Sequence, residues 1–396
     1  MNENIKKVTK IALSTRCKDF KKFEYKKQKL YELEHLKEII PLIKDFSAPC
    51  RLESIIASFA SHTLQEEISA QQAQKPSRFI ENNNKIVYLI NREEKKILSV
   101  KAFPFHRIEL CDFIHELSGT DLLTSLHLQH AKAVKILSLG KCANKEKGYL
   151  LLGESIAEGE NISSIIRTSL QKRHKGRLPS QALKAIEKMG LALAELHTKT
   201  FGKRGQIPKY RLDLICKNFA INQKKIAEKI PDLKLNESKI SKLCDDYLKK
   251  AEKTLFPYGF HHGDVNMENI FYDETLDALT FLDTSKAHMA VNAHGEAQGI
   301  PACDFAQWEE QIERLQTEGL EEENIETLKD AFQKSYLSIA KESPPLNLRN
   351  LFRLSINIWI LGYFCDWEKI KELEKKQQGE KMFYRSINYL KREIEK

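Results

Sequence analysis

The chain has 396 residues, enough for two lobes and an added element and too many for one simple core. Hydrophobic residues at 41% beside charged residues at 30% describe a folded chain rather than a disordered one. The net charge of +9 would suit an anionic partner, but no module of clustered arginines with interleaved aromatics accompanies it, so nucleic acid is not expected.

In chain order, lysines come first: Lys6, Lys7, Lys10, Lys18, Lys21, Lys22, Lys26, Lys27 and Lys29. They read as solvated surface, with membrane contact through this basic stretch as the disfavoured alternative. No apolar run follows them, so a secretory signal is not expected. From Lys27 to Phe46, the residues Leu30, Leu33, Leu36, Ile39, Ile40 and Ile43 share one face of a helix that ends at Pro41 or soon after. That helix is expected to pack on the domain that follows.

The pattern changes at Pro76. Lys85 to Ile90 and Ile97 to Phe103 are two β-type runs around the charged turn Asn91 to Lys96, which predicts a hairpin. A helix is expected over Ile108 to Leu126, then apolar strand runs at Ala133 to Leu139 and Gly148 to Leu152. After Gly159 helix dominates, with Leu183, Ile186, Met189, Leu193 and Leu196 at helical spacing. The apolar stretch from Leu354 to Phe364 is too short for a membrane span and reads as a buried helix. The eight cysteines are scattered, with no Cys-x-x-Cys pair, which argues against zinc or redox pairing and for reduced thiols in the cytoplasm. A β-rich segment followed by a helical one is the outline of a kinase, with a hinge near Glu154 to Ile156.

The chemistry concentrates in His261-His262-Gly263-Asp264-Val265-Asn266-Met267-Glu268-Asn269-Ile270-Phe271 and in Phe281-Leu282-Asp283. Phosphoryl transfer needs a carboxylate for the attacking hydroxyl, oxygen ligands for Mg2+ and a cation on the nucleotide phosphates. Asp264 suits the first task. Asn269, later in the same loop, can turn its amide oxygen to a metal. Asp283 follows a hairpin, Asn269 to Tyr272 with Leu279 to Leu282, of a size that brings it back beside Asn269. Mg2+ takes hard oxygens and keeps waters, so one carboxylate and one amide suffice.

His262-Gly263-Asp264 with Asn269 resembles the H-G-D-x-x-x-x-N loop of the aminoglycoside-phosphotransferase and choline-kinase superfamily. Leu282-Asp283 with Ala287 is similar to its metal-binding segment, Gly190 to His197 to its L-G-x-x-L-A-x-L-H helix, and Cys303-Asp304-Phe305-Ala306 to its D-L-A segment. The pieces stand in family order from about Pro76 to Trp308. The resemblance implies an α+β, protein-kinase-like two-lobed fold: a helical extension over residues 1–75, a small antiparallel β N-lobe over 76–153, and a larger helical C-lobe with substrate-binding inserts over 154–396. It also implies ATP and Mg2+ as cofactors and a small-molecule hydroxyl as acceptor.

Under that resemblance Lys101 holds the position of the lysine on the ATP phosphates, and Glu116, with Glu109 behind it, is the helix glutamate that pairs with it. A lysine inside a strand needs such a partner, because an unpaired buried charge is costly. Glu154-Ser155-Ile156 resembles the hinge whose backbone meets adenine, with Gly159 in the following turn. His262 and His197 read as structural. One departure stands out: Ile80-Glu81-Asn82-Asn83-Asn84-Lys85, where a phosphate-covering loop belongs, contains no glycine, and Glu81 would sit close to phosphate.

Acceptor choice is expected from Thr198 to Tyr258 and from the part after Asp304. Asp245, Asp246, Glu309, Glu310 and Glu313, with Trp308, are candidates for a cationic ligand, against the plainer reading of solvated helix faces. The run from Glu318 to Glu323 is expected to face solvent. Two rival readings remain. One is an atypical protein Ser/Thr kinase, against which Gly263 stands where such kinases carry arginine and no A-P-E segment is found. The other is a catalytically silent nucleotide-binding pseudokinase, which the glycine-free loop favours.

Overall fold

The computed structural model describes residues 5–8, 38–48, 50–75, 85–104, 107–143, 148–171, 178, 180–199, 203–229, 237–291, 296–366, 368 and 373–395. Its contacts divide the chain into two compact units. The first holds Met1–Glu160, His262–Asp264 and Asn269–Glu296; the second holds Asn161–His261, Val265–Glu268 and Ala297–Lys396.

In the first unit, β1 (Lys44–Asp45), β2 (Ala73–Gln74), β3 (Ile86–Arg92), β4 (Lys95–Pro104), β6 (Ile136–Ala143) and β7 (Gly148–Glu154) form one sheet in the order β1-β6-β7-β4-β3-β2. The predicted hairpin is β3–β4, with a tighter turn than the charged run suggested. Only Glu93 and Glu94 separate the strands, and both have positive φ, 47° and 66°. Left-handed backbone at both turn positions matches the twist of the strands it joins. The edge strands β1 and β2 are two residues long, too short to leave an alternating pattern in the sequence.

Alternation along β4 sorts its side chains between two helices. Leu98, Val100 and Ala102 face α1 (Leu52–Leu64), packing with Ile55, Ile56 and Phe59, while Phe103 packs with Phe113, Ile114 and Leu117 of α2 (Arg107–Ser125). The helix expected over Lys27 to Phe46 lies mostly outside the described residues; its end at Pro41 falls in a 3-10 turn, Ile40–Leu42. The unit is completed by β5 (Ala131–Ala133), β8 (Ile270–Asp273) and β9 (Ala278–Phe281), side by side in a second, smaller sheet in the order β5-β9-β8.

The second unit is helical: α3 (Ile162–Gln171), α4 (Ser180–Thr198), α5 (Lys209–Lys229), α6 (Glu237–Glu252), α7 (Pro301–Arg314), α8 (Glu322–Ala340), α9 (Leu346–Phe364) and α10 (Leu373–Glu395). Phe219 and Ile226 of α5, Ile240 and Cys244 of α6, Leu351, Leu354, Ile358 and Leu361 of α9, and Phe383, Ile387 and Leu390 of α10 make its main apolar cluster. The Leu354 to Phe364 stretch is therefore buried along one face, with Trp359 and Tyr363 exposed on the other. No helix among the described residues is long and apolar enough to cross a membrane. Cys50, Cys142, Cys216, Cys244, Cys303 and Cys365 are free thiols.

Candidate active site

Lys101 is the one charged residue of the apolar stretch Ile97 to Phe103, and the pleat turns it toward α2 rather than α1. Val87 and Leu152 are its cross-strand partners on that face. Two residues further along β7 the same face presents Glu154, and two residues before Val87 it presents Lys85. From α2, Glu116 points back. Lys101 Nζ lies 2.7 Å from Glu116 Oε1 and 2.9 Å from Glu154 Oε2. Lys85 Nζ lies 3.1 Å from Glu116 Oε2 and 2.8 Å from Asp283 Oδ1. Glu116 thus bridges two lysines, one through each oxygen.

The five groups are two ammonium ions and three carboxylates, so one carboxylate is in excess. Burial pulls both lysines down, but Glu116 first, then Asp283 for Lys85 and Glu154 for Lys101, more than reverse it and hold both above the usual lysine value. Asp283 is held well below the ordinary carboxylate range: burial would raise it, and Lys85 and then Lys101 outweigh that. Glu154 carries the excess. Burial above all raises it, and its Oε1 is enclosed with no hydrogen-bond partner among the described residues.

Asp283 owes its place to α2 as well. It leaves β9 in left-handed backbone, φ 50° and ψ 56°, and opens the 3-10 turn Thr284–Ala290. Thr120, one helical turn beyond Glu116, shares a 2.7 Å hydroxyl hydrogen bond with Thr284. Gly119 lets the helix approach so closely that an added Cβ would stand 1.9 Å from the Thr284 carbonyl oxygen. One helix face therefore sets both Glu116 and the turn that presents Asp283.

The loop before β8 is tied to the same turn. His262 Nδ1 accepts the Asp264 backbone N–H at 3.2 Å, which leaves its Nε2–H to donate to the Leu282 carbonyl at 3.1 Å. The Leu282 N–H donates to the Asn269 carbonyl at 2.8 Å, so Asn269 and Asp283 leave the hairpin side by side. Gly263 has φ +83°, and a Cβ there would meet Lys286 Cβ at 2.7 Å. Asp264 Oδ2 receives Lys286 Nζ at 2.9 Å.

The structure brings Lys101, Glu116, Glu154 and Asp283 into one charge cluster, and it tethers Asp264 and Asn269 to the segment that carries Asp283. Ile156, half-buried two residues beyond Glu154, is outside the cluster. The Glu109 side chain and residues Ile80 to Asn84 lie outside the described residues. Sequence reasoning missed Lys85, Lys286 and the carboxylate of Glu154. Alternation counted back from Lys101 across the hairpin would have found Lys85, whereas Lys286 leaves no such signal.

In the second unit, the acidic candidates have other partners. Glu309 is 2.8 Å from Arg349, Glu310 is 2.8 Å from Arg353 and 2.9 Å from Arg385, and Glu313 is bonded to Arg353 and Arg385 at 2.7 and 3.0 Å. Trp308 is fully buried against Phe332. These residues are neither a solvated face nor open to a cationic ligand; they are an internal ion network joining α7, α9 and α10. Asp245 and Asp246 are exposed. Glu318, expected in solvent, is paired with Arg167 at 2.9 Å. His197 closes α4 as expected, buried between Tyr336 Oη at 2.9 Å and Asp304 Oδ2 at 3.3 Å.

No protein-family profile and no curated protein matches the sequence. Solved structures do match it in fold. An amicoumacin kinase in complex with AMP-PNP, Ca2+ and Ami aligns with a TM-score of 0.53 at 13% identity, over 86% of this chain and 94% of that one. A thermostable mutant of an aminoglycoside phosphotransferase, in ternary complex with AMP-PNP and hygromycin B, aligns with a TM-score of 0.50 at 12% identity, over 84% of this chain and 98% of that one. This chain shares the fold of these two solved kinases.

Proposed function

We propose that the chain is a Mg2+-dependent phosphotransferase that moves the γ-phosphoryl group of ATP to a hydroxyl of a small molecule. The observation that carries this reading is the buried Lys101–Glu116 pair, linked through Lys85 to Asp283, in the fold of kinases solved with AMP-PNP. Lys101 is the cation for the nucleotide phosphates, held by Glu116, and the backbone of Glu154 and Ile156 is the place for the base. Asp283 and Asn269 supply hard oxygen donors. Asp283 fits a divalent cation: its carboxylate is ionised, a third of its side chain is exposed, and it already accepts one positive group, the Lys85 ammonium. When bound there, Mg2+ would neutralise charge that develops on the phosphate oxygens.

Asp264 orients the acceptor hydroxyl and takes its proton as the new oxygen–phosphorus bond forms and the bond to the β-phosphate oxygen breaks, releasing ADP. The acceptor is chosen by the helical segments Thr198 to Tyr258 and those after Asp304. The two solved kinases hold Ami and hygromycin B beside the nucleotide analogue, and for this chain the acceptor is an amino alcohol, an aminoglycoside or a sugar-like molecule. A chain that consumes ATP, and whose cysteines among the described residues form no disulfide, fits the cytoplasm.

The test is direct. Mg2+ with AMP-PNP should raise the melting temperature of the wild-type chain, and Asp283→Asn should lose most of that rise. Asp264→Asn should keep it while phosphate transfer falls by about 10²–10⁴-fold. A screen of amino alcohols, aminoglycosides, sugars and whole-cell protein for phosphate uptake identifies the acceptor. Wild-type behaviour from both variants would refute the assigned roles, and label found only on protein would replace the small-molecule reading with a protein-kinase one.

A further inference from the structure

Lys85 holds a place that the proposed reaction needs for something else. Its ammonium lies 2.8 Å from Asp283 Oδ1 and 3.1 Å from Glu116 Oε2, with its side chain only 15% exposed. Glu116 does not require the contact with Asp283, because Lys85 on its Oε2 and Lys101 on its Oε1 at 2.7 Å already occupy both of its oxygens. Asp283 is the carboxylate assigned to the metal, and a divalent cation and an ammonium cannot share one oxygen at bonding distance without strong repulsion. Resting on the reading of the site as a nucleotide site, we propose that Lys85 is a second phosphate-binding cation that is parked on Asp283 until nucleotide arrives, so that metal and lysine occupy Asp283 in turn.

Three observations carry this. Lys85 lies on the same face of the β3–β4 hairpin as Lys101, two positions from Val87, the cross-strand partner of Lys101. With Glu116 as a common anchor, the two ammonium groups face the same space, and the flexible stem of a lysine lets Lys85 leave Asp283 without leaving Glu116. The chain entering Lys85 from Ile80 to Asn84 contains no glycine, so the close backbone approach to phosphate that a glycine-rich loop permits is not available from sequence. A side-chain ammonium at the end of that segment supplies the missing positive group.

A counter-ion with no other task would make a different prediction, and the two separate on binding alone. Mn2+ binding to the full chain without nucleotide can be followed by electron paramagnetic resonance, and AMP-PNP binding with Mg2+ by calorimetry. Lys85→Met should bind Mn2+ about tenfold more tightly than wild type and AMP-PNP about tenfold more weakly, the two moving in opposite directions. If Lys85→Met does not fold, Lys85→Arg decides. Its guanidinium grips Asp283 through two hydrogen bonds, so Mn2+ alone should bind roughly threefold more weakly with AMP-PNP affinity kept. Affinities that move together, or Mn2+ binding that ignores both substitutions, would overturn the proposal. Wild-type protein that fails to bind AMP-PNP at all would instead refute the kinase reading itself.

Discussion

Lys286 Nζ stands 2.9 Å from Asp264 Oδ2, three residues beyond Asp283, and its stem fills the space that a side chain at position 263 would need. The turn that presents the candidate metal carboxylate therefore also aims the candidate proton acceptor. Both partners are partly exposed, so the pair adds at most about 1 kcal/mol to stability. Lys286→Met should cost no more than about 1 kcal/mol in urea denaturation and leave the affinity for AMP-PNP intact, while phosphate transfer, or slow ATP hydrolysis if no acceptor is known, falls about tenfold because Asp264 loses its orientation. Unchanged turnover would show that Lys286 does not position Asp264.

Glu116 and Glu154 are equally buried carboxylates with unequal duties. Glu116 holds two lysines; Glu154 shares one and leaves an oxygen without a hydrogen-bond partner among the described residues. Glu116→Gln should cost about 3–5 kcal/mol in urea denaturation, since it strands buried ammonium groups. Glu154→Gln should cost less than about 1 kcal/mol, because it removes the carboxylate in excess. Burial raises the Glu154 carboxyl above its ordinary value, so the folded chain favours the neutral form, and stability from that preference is lost as pH rises above 4.5. The Gln variant should accordingly gain on wild type between acid and neutral pH.

Gly119→Ala sets two effects against each other. Alanine is the better helix former by about 1 kcal/mol, but its Cβ would lie 1.9 Å from a backbone carbonyl that has no rotamer to escape into. Crowding at a well-packed contact costs about 1–3 kcal/mol, so the net change should be destabilising. Because the obstructed carbonyl belongs to Thr284, the stabilisation by Mg2+ and AMP-PNP should shrink more than the melting temperature of the unliganded chain. Equal losses would place the effect in the helix alone.

The arginine–glutamate network in the helical unit predicts an acid transition. Burial would raise Glu310, but Arg385 and then Arg353 more than reverse this and bring it down to about 2 from an unfolded value of 4.5. A carboxylate lowered on folding stabilises above its unfolded value, and that stability, about 3 kcal/mol here, is lost as pH falls from 4.5 toward 2. Urea midpoints measured at pH 5 and pH 3 should differ for wild type, and Glu310→Gln should be less stable at pH 5 with a flatter dependence.

Much of this molecule was legible in the residues themselves. The alternation of Ile97 to Phe103 announced a strand with Lys101 toward one face, the spacing of Leu183 to Leu196 announced a helix, and the interval from Asp264 through Asn269 to Asp283 announced a hairpin with its ends together. These are periodicities and short-range closures, which local backbone geometry settles before any tertiary contact forms. Partnership was legible only where the need was local. A lysine inside an apolar strand demands a carboxylate, and a helix following that strand can offer one.

What sequence spacing does not contain is which distant groups share a charge. Lys85 and Asp283 are separated by 198 positions, and their 2.8 Å contact follows from how α2 seats Gly119 against Thr284. The acids of α7 read as solvent-facing or ligand-facing because their arginines come from α9 and α10, later in the chain. Composition and period thus determined the elements and the chemical types available. Tertiary structure decided which cation answers each carboxylate, because Coulomb interactions depend on distance in space, and the packing of helices on sheets sets those distances.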